Sequence, residues 1–140
     1  MDGTSEEPAN PSGAGAASST VYELVGGTDA FIELVDRFYA RVESDPPLRA
    51  VYPDDLEPGR RNLALFLSQY WGGPTTYSDE RGHPRLRRRH MPFEVTPDGA
   101  ARWAAHMIAA IESMDFPEPA EQAMTDYVRH FTPSMVNATE

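Results

Sequence analysis

The chain has 140 residues and a mass of 15.5 kDa, with 22 acidic against 12 basic side chains, a net charge of −10 and no cysteine. That length suits one domain with a sizeable core. The missing thiols exclude disulfides, thiolate metal sites and cysteine nucleophiles, and an acidic surface repels the phosphates of nucleic acid.

Residues 1–20 are mostly Gly, Ala, Ser and Pro with three acids and no large apolar side chain that could anchor them, so they are expected to form a disordered tail ahead of a domain at 21–140. Val21 to Val25 followed by Gly26-Gly27 reads as a short helical turn with a glycine stop. Thr28 is the expected N-cap of a long helix, because Phe31, Leu34, Val35, Phe38, Tyr39 and Val42 recur at helical spacing. It should end before Pro46-Pro47, with a short turn over Leu48 to Tyr52. A second amphipathic helix is expected from Pro58 or Gly59, with Leu63, Phe66, Leu67, Tyr70 and Trp71 along one side and a stop at Gly72-Gly73-Pro74.

Thr75 to Gly82 reads as a polar loop. The next stretch, Gly82 to Phe93, holds four arginines within five residues, then His90, with Pro84 able to open a helical turn and Pro92 to close it. A histidine there can present a nitrogen to a metal while a neighbouring arginine binds an anion; a haem offers both an iron and propionates. Equally, a histidine at a helix end simply complements the helix dipole. Thr96-Pro97-Asp98 is a strong start signal for a helix carrying Trp103, Met107, Ala110, Ile111 and Met114. A last helix after Pro117 should turn Met124, Tyr127, Val128, Phe131 and Met135 inward, with Pro133 kinking or ending its final turn.

No segment alternates like a strand and no period repeats, so the fold class is all-α. Tyr39, Tyr52 and Trp103 occupy inward or near-inward positions on different segments. Were they to converge, they would supply a cluster of hydrogen-bond donors inside an apolar pocket; separately, each is explained by core packing. His83 reads as solvent-facing or at most an anion neighbour, His106 as flanking the core and His130 as exposed. No zinc spacing or phosphate loop occurs. No apolar run nears the roughly 20 residues that a membrane span needs, and the N-terminus lacks the features of a signal peptide, so a cytoplasmic location is expected.

Several ordered motifs together resemble the group II truncated haemoglobins, the two-over-two bacterial globins. They are Val-Gly-Gly at 25–27, Arg-Phe-Tyr-Ala at 37–40, Val-Tyr-Pro at 51–53 and Phe-Leu-Ser-Gln-Tyr-Trp-Gly-Gly-Pro at 66–74. Most specific is Arg-Gly-His-Pro-Arg-Leu-Arg-x-Arg-His-x-Pro-Phe at 81–93, with Trp103 at the expected distance beyond it. The resemblance spans about Val21 to Val136. It implies a truncated globin fold, a two-over-two helical sandwich around a haem b whose pentacoordinate iron is bound by His90, with Arg89 pairing with a propionate.

By the same resemblance, Tyr39, Tyr52 and Trp103 are the ligand-binding donors, and Gly59 takes the gate position, leaving an opening where other globins place a histidine. Leu63, Phe66 and Leu67 would line the pocket wall, and Phe93, Met107 and Ile111 would pack on the opposite or lower side. Asn62 stands where a basic side chain could otherwise reach a propionate, so Arg60 or Arg61 is expected to substitute or the contact to be absent. The implied function is reversible binding of O2, CO or NO, used in O2, nitric oxide or peroxide chemistry with a reductase rather than in bulk transport. Nitric oxide dioxygenase or peroxidase-like turnover and self-association are left open. The alternatives are a haem-based sensor or interaction module and a haem-free helical adaptor with an arginine patch.

Overall fold

The computed structural model describes residues 20–81 and 95–136, and every regular element among them is helical. The expected tail over 1–19 and the residues His83, Arg89, His90 and Phe93 lie outside the described residues. Thr20, read as the end of the tail, instead begins the fold. Its hydroxyl accepts from the Glu23 amide at 3.1 Å while the Glu23 carboxylate accepts from the Thr20 amide at 3.2 Å, a reciprocal cap that opens α1 (Val21–Val25).

Helix α2 (Thr28–Glu43) buries all six of the expected residues, from Phe31 to Val42. Its cap is Gly27 rather than Thr28: the Thr28 hydroxyl is engaged with the Tyr22 hydroxyl at 2.7 Å. The two prolines expected to end a helix open one, because proline lacks only an amide that a first turn leaves unpaired. They begin α3 (Pro46–Arg49), capped by the Asp45 carboxylate. Helix α4 (Glu57–Tyr70) follows, then α5 (Thr76–Arg81) in place of the expected polar loop.

Tertiary contacts explain that difference. Tyr77 is 2 % exposed with its ring edge-on to Phe66, and Gln69 of α4 both accepts from the Ser78 amide at 3.0 Å and donates to its hydroxyl at 2.7 Å. Helix α6 (Pro97–Ser113) starts under the Thr96 cap as expected, and α7 (Glu118–Phe131) passes into a 3-10 turn at Thr132–Met135, where Pro133 withdraws an amide from the helical pattern. Tyr70, expected inward, is half exposed and packs its ring 4.5 Å from Tyr127.

Helices α2 and α4 pack as one pair and α6 and α7 as another, with α2 also lying against α6. This is the two-over-two helical sandwich that the resemblance implies. Phe31, Leu34, Phe38, Met107 and Ile111 fill its centre, all nearly or fully inaccessible. Helix α1 is tied to the far end of α4 by the Tyr22 amide, which donates to the Trp71 carbonyl at 2.9 Å. The Tyr22 ring lies over Gly73 so closely that a Cβ there would fall 2.5 Å from it. Met107 and Ile111 belong to this central core.

Candidate functional site

One cavity of about 380 Å³ opens beside the sandwich, and all seven expected site residues within the described segments line it: Tyr39, Tyr52, Gly59, Leu63, Phe66, Leu67 and Trp103. Tyr39 comes from the inner face of α2, Tyr52 from the turn that continues α3, the next four from α4 and Trp103 from α6. The rings of Tyr39, Tyr52 and Trp103 form one group connected through Phe38. Tyr39 and Tyr52 meet edge to face at 5.7 Å, and Phe38 touches Tyr39 at 5.4 Å and Trp103 at 5.1 Å. Such geometries are favourable beyond the area they bury.

The two phenols are held neutral. Burial pushes the Tyr39 hydroxyl up to about 12, with the Arg60 guanidinium, 5.7 Å from the ring centre, partly opposing it. Burial raises Tyr52 further, and the nearby Tyr39 adds to this. The Trp103 indole, close to the Tyr52 hydroxyl, acts the other way. Neutral phenols keep their protons and can donate, so the cavity wall carries hydrogen-bond donors next to the apolar Leu63, Phe66 and Leu67.

Gly59 is explained by Tyr39. A Cβ at this position would lie 2.8 Å from the Tyr39 hydroxyl oxygen, so the space that a side chain would need is taken by the phenol. Asn62 lines the cavity, whereas Arg60 and Arg61 are engaged elsewhere, Arg60 with Asp36 at 2.6 Å and Arg61 with Glu80 at 2.6 Å. His106 flanks the core, bonded to Asp45, and His130 is exposed.

Sequence reasoning passed over Leu48, Leu56, Tyr77 and Met135, which also line the cavity. Tyr77 had a local signal: Thr75 followed four residues later by Asp79 resembles a capped first turn, and the Asp79 amide does donate to the Thr75 carbonyl at 2.9 Å. Leu48 had none, because its burial depends on α3 packing against α6.

Comparison with known proteins agrees with this geometry. The profile of the bacterial-like globin family matches residues 20–137. The chain is 36 % identical over 126 residues to group 2 truncated hemoglobin YjbI of Bacillus subtilis, covering 90 % of this chain and 95 % of that protein. Among solved structures, a hemoglobin from the thermophilic phototroph Chloroflexus aurantiacus superposes with a TM-score of 0.84 at 51 % identity, covering 86 % of this chain and 100 % of that one. The group II truncated hemoglobin of Bacillus anthracis gives 0.82 at 37 % identity, with 86 % and 98 % covered. With a helical sandwich and an aromatic-lined cavity on one side and matches over most of its length on the other, this chain belongs to the bacterial-like globin family and is a truncated hemoglobin of the second group.

Proposed function

We propose that the cavity holds a haem, haem b in type, and that the protein binds diatomic ligands there for chemistry on O2, nitric oxide or peroxide in the cytoplasm. The observation that carries this reading is the convergence of Tyr39, Tyr52 and Trp103 on one cavity whose α4 wall is Leu63, Phe66 and Leu67. An apolar wall with donors along one side fits a flat apolar macrocycle whose ligand needs polar contacts. His90, outside the described residues, would hold the iron, with Arg89 pairing with a propionate and Phe93 packing beside them.

When bound, the haem supplies an iron that takes up a diatomic ligand. The chain's own residues do the rest. Leu63, Phe66 and Leu67 exclude water, which strengthens each remaining polar contact. Tyr39 and Tyr52 keep their protons because burial opposes ionisation, and with the Trp103 indole they donate to a ligand that carries partial negative charge. Donors of this kind slow ligand release, which disfavours a delivery role and favours chemistry on the retained ligand, with a reductase as electron source.

The test is the absorption spectrum of purified protein, ferric, dithionite-reduced and reduced under CO, with His90→Ala beside it. An intense Soret band that shifts under CO in the wild type and is lost or altered in the variant supports the reading. A featureless spectrum that persists after haem is added overturns it.

A further inference from the structure

Asp45 is 8 % exposed, the one buried carboxylate among the described residues, and it sits between the two elements that carry Tyr52 and Trp103. Its oxygens accept from Arg102 Nη1 at 3.0 Å and lie 2.8 Å from His106 Nε2, both on α6, and one also caps the Leu48 amide of α3 at 3.4 Å. Arg102 and His106 bracket Trp103 along α6. The His106 ring is itself oriented, since Arg41 Nε donates to its Nδ1 at 3.3 Å. That leaves the Nε2–H to face Asp45.

From Asp45 to Tyr52 the backbone is a continuous run of short-range hydrogen bonds. The Arg49 amide donates to Asp45, Ala50 to Pro46, Val51 to Leu48 and Tyr52 to Arg49, all within 3.1 Å. The Arg49 guanidinium then clamps the far end, reaching the carbonyls of Pro53 at 3.1 Å and Asp54 at 3.2 Å. A segment tied this closely moves as one body, so a force applied at Asp45 is felt at Tyr52.

The geometry points to Asp45 as a positioning residue: by joining the α3 segment to α6 it sets the alignment of the Tyr52 hydroxyl against the Trp103 indole, and hence of both donors in the cavity. This rests on the cavity reading proposed above for the ligand, but the alignment itself is a property of the polypeptide. Removing the charge keeps an oxygen for the Leu48 amide and Arg102, which share Oδ1, yet places an amide opposite the His106 Nε2–H, which has only a proton to offer.

The experiment compares wild type, Asp45→Asn, Tyr52→Phe and the double variant by proton–nitrogen correlation spectra of the reduced, CO-saturated protein. The chain has two tryptophans, and Trp103→Phe assigns the indole resonance. Asp45→Asn is expected to move the Trp103 indole N–H resonance in the direction that Tyr52→Phe does, and to add no further movement in the Tyr52→Phe background. A variant that lowers the unfolding midpoint but leaves that resonance in place would overturn the inference, as would additive shifts in the double variant. If Asp45→Asn does not fold, His106→Gln and Arg102→Gln carry the same expectation, with an unmoved resonance in both overturning it. Absence of a Soret band in the same samples would count against the haem reading alone, because each variant is compared with wild type in the same state of loading.

Discussion

The Tyr39 hydroxyl oxygen lies 2.8 Å from the point that a Cβ on Gly59 would occupy, so the tyrosine of α2 in this position calls for glycine on α4. Gly59→Ala therefore forces the phenol to shift, and overpacking of this kind costs about 1–2 kcal/mol, offset in part by alanine's better helix propensity. Tyr39→Phe removes the colliding oxygen. Urea denaturation of the two single variants and the double should show Gly59→Ala tolerated in the phenylalanine background, and equal losses in both backgrounds would refute the pairing.

Trp103 is expected to matter for ligand release more than for folding. Trp103→Phe keeps the ring contact with Phe38 but deletes the indole donor, and a hydrogen bond of about 1 kcal/mol corresponds to roughly a fivefold faster O2 dissociation. Stopped-flow displacement of O2 by CO measures this rate. An unchanged rate would mean that the indole only packs.

The buried phenols are expected to weaken the fold at alkaline pH. Tyr39 titrates at about 12 in the fold against about 10 in the unfolded chain, and Tyr52 and Tyr127 are raised too by burial. A raised folded value means that the stabilisation is complete below pH 10 and is lost as pH climbs from there through the folded values. Absorbance at 295 nm should show fewer ionised phenols at pH 11 in native protein than in urea-unfolded protein, and Tyr39→Phe should remove one late-titrating group.

At the acid end Asp45 is the group to follow. Its hydrogen bond with His106 foremost, with help from the Leu48 amide and Arg102, holds its carboxyl below the ordinary range, and Arg41 stands behind the histidine. A depressed folded value contributes stability that is present above the unfolded value near 4 and is lost as pH falls toward the folded one. Denaturant midpoints measured from pH 6 down to pH 3 should fall less steeply in Asp45→Asn than in wild type.

Gly73 tests the docking of α1. A Cβ there would lie 2.5 Å from the Tyr22 ring and 2.8 Å from the Ser68 carbonyl, so Gly73→Ala must displace backbone as well as a side chain. We expect a loss of about 2–3 kcal/mol in the urea-denaturation free energy, in the upper part of the range for overpacked sites.

The features legible along the chain are local ones. The six apolar positions of α2, the Thr96-Pro97-Asp98 start of α6, the glycine stop after α1 and the change of pattern at Pro133 are each set within a turn or two of chain, where side-chain spacing and caps act directly. Motif resemblance extended this to the family and to a set of site residues, because a motif carries the outcome of a fold without its geometry. Packing of the helices settles that Tyr39, Tyr52 and Trp103 share one cavity, that Gly59 faces the Tyr39 hydroxyl, that Thr76–Arg81 is helical and that Asp45 joins α3 to α6. Each of these relations links residues on different elements, or depends on burial against one, and no local propensity encodes the distance between two helices that meet only when the core closes.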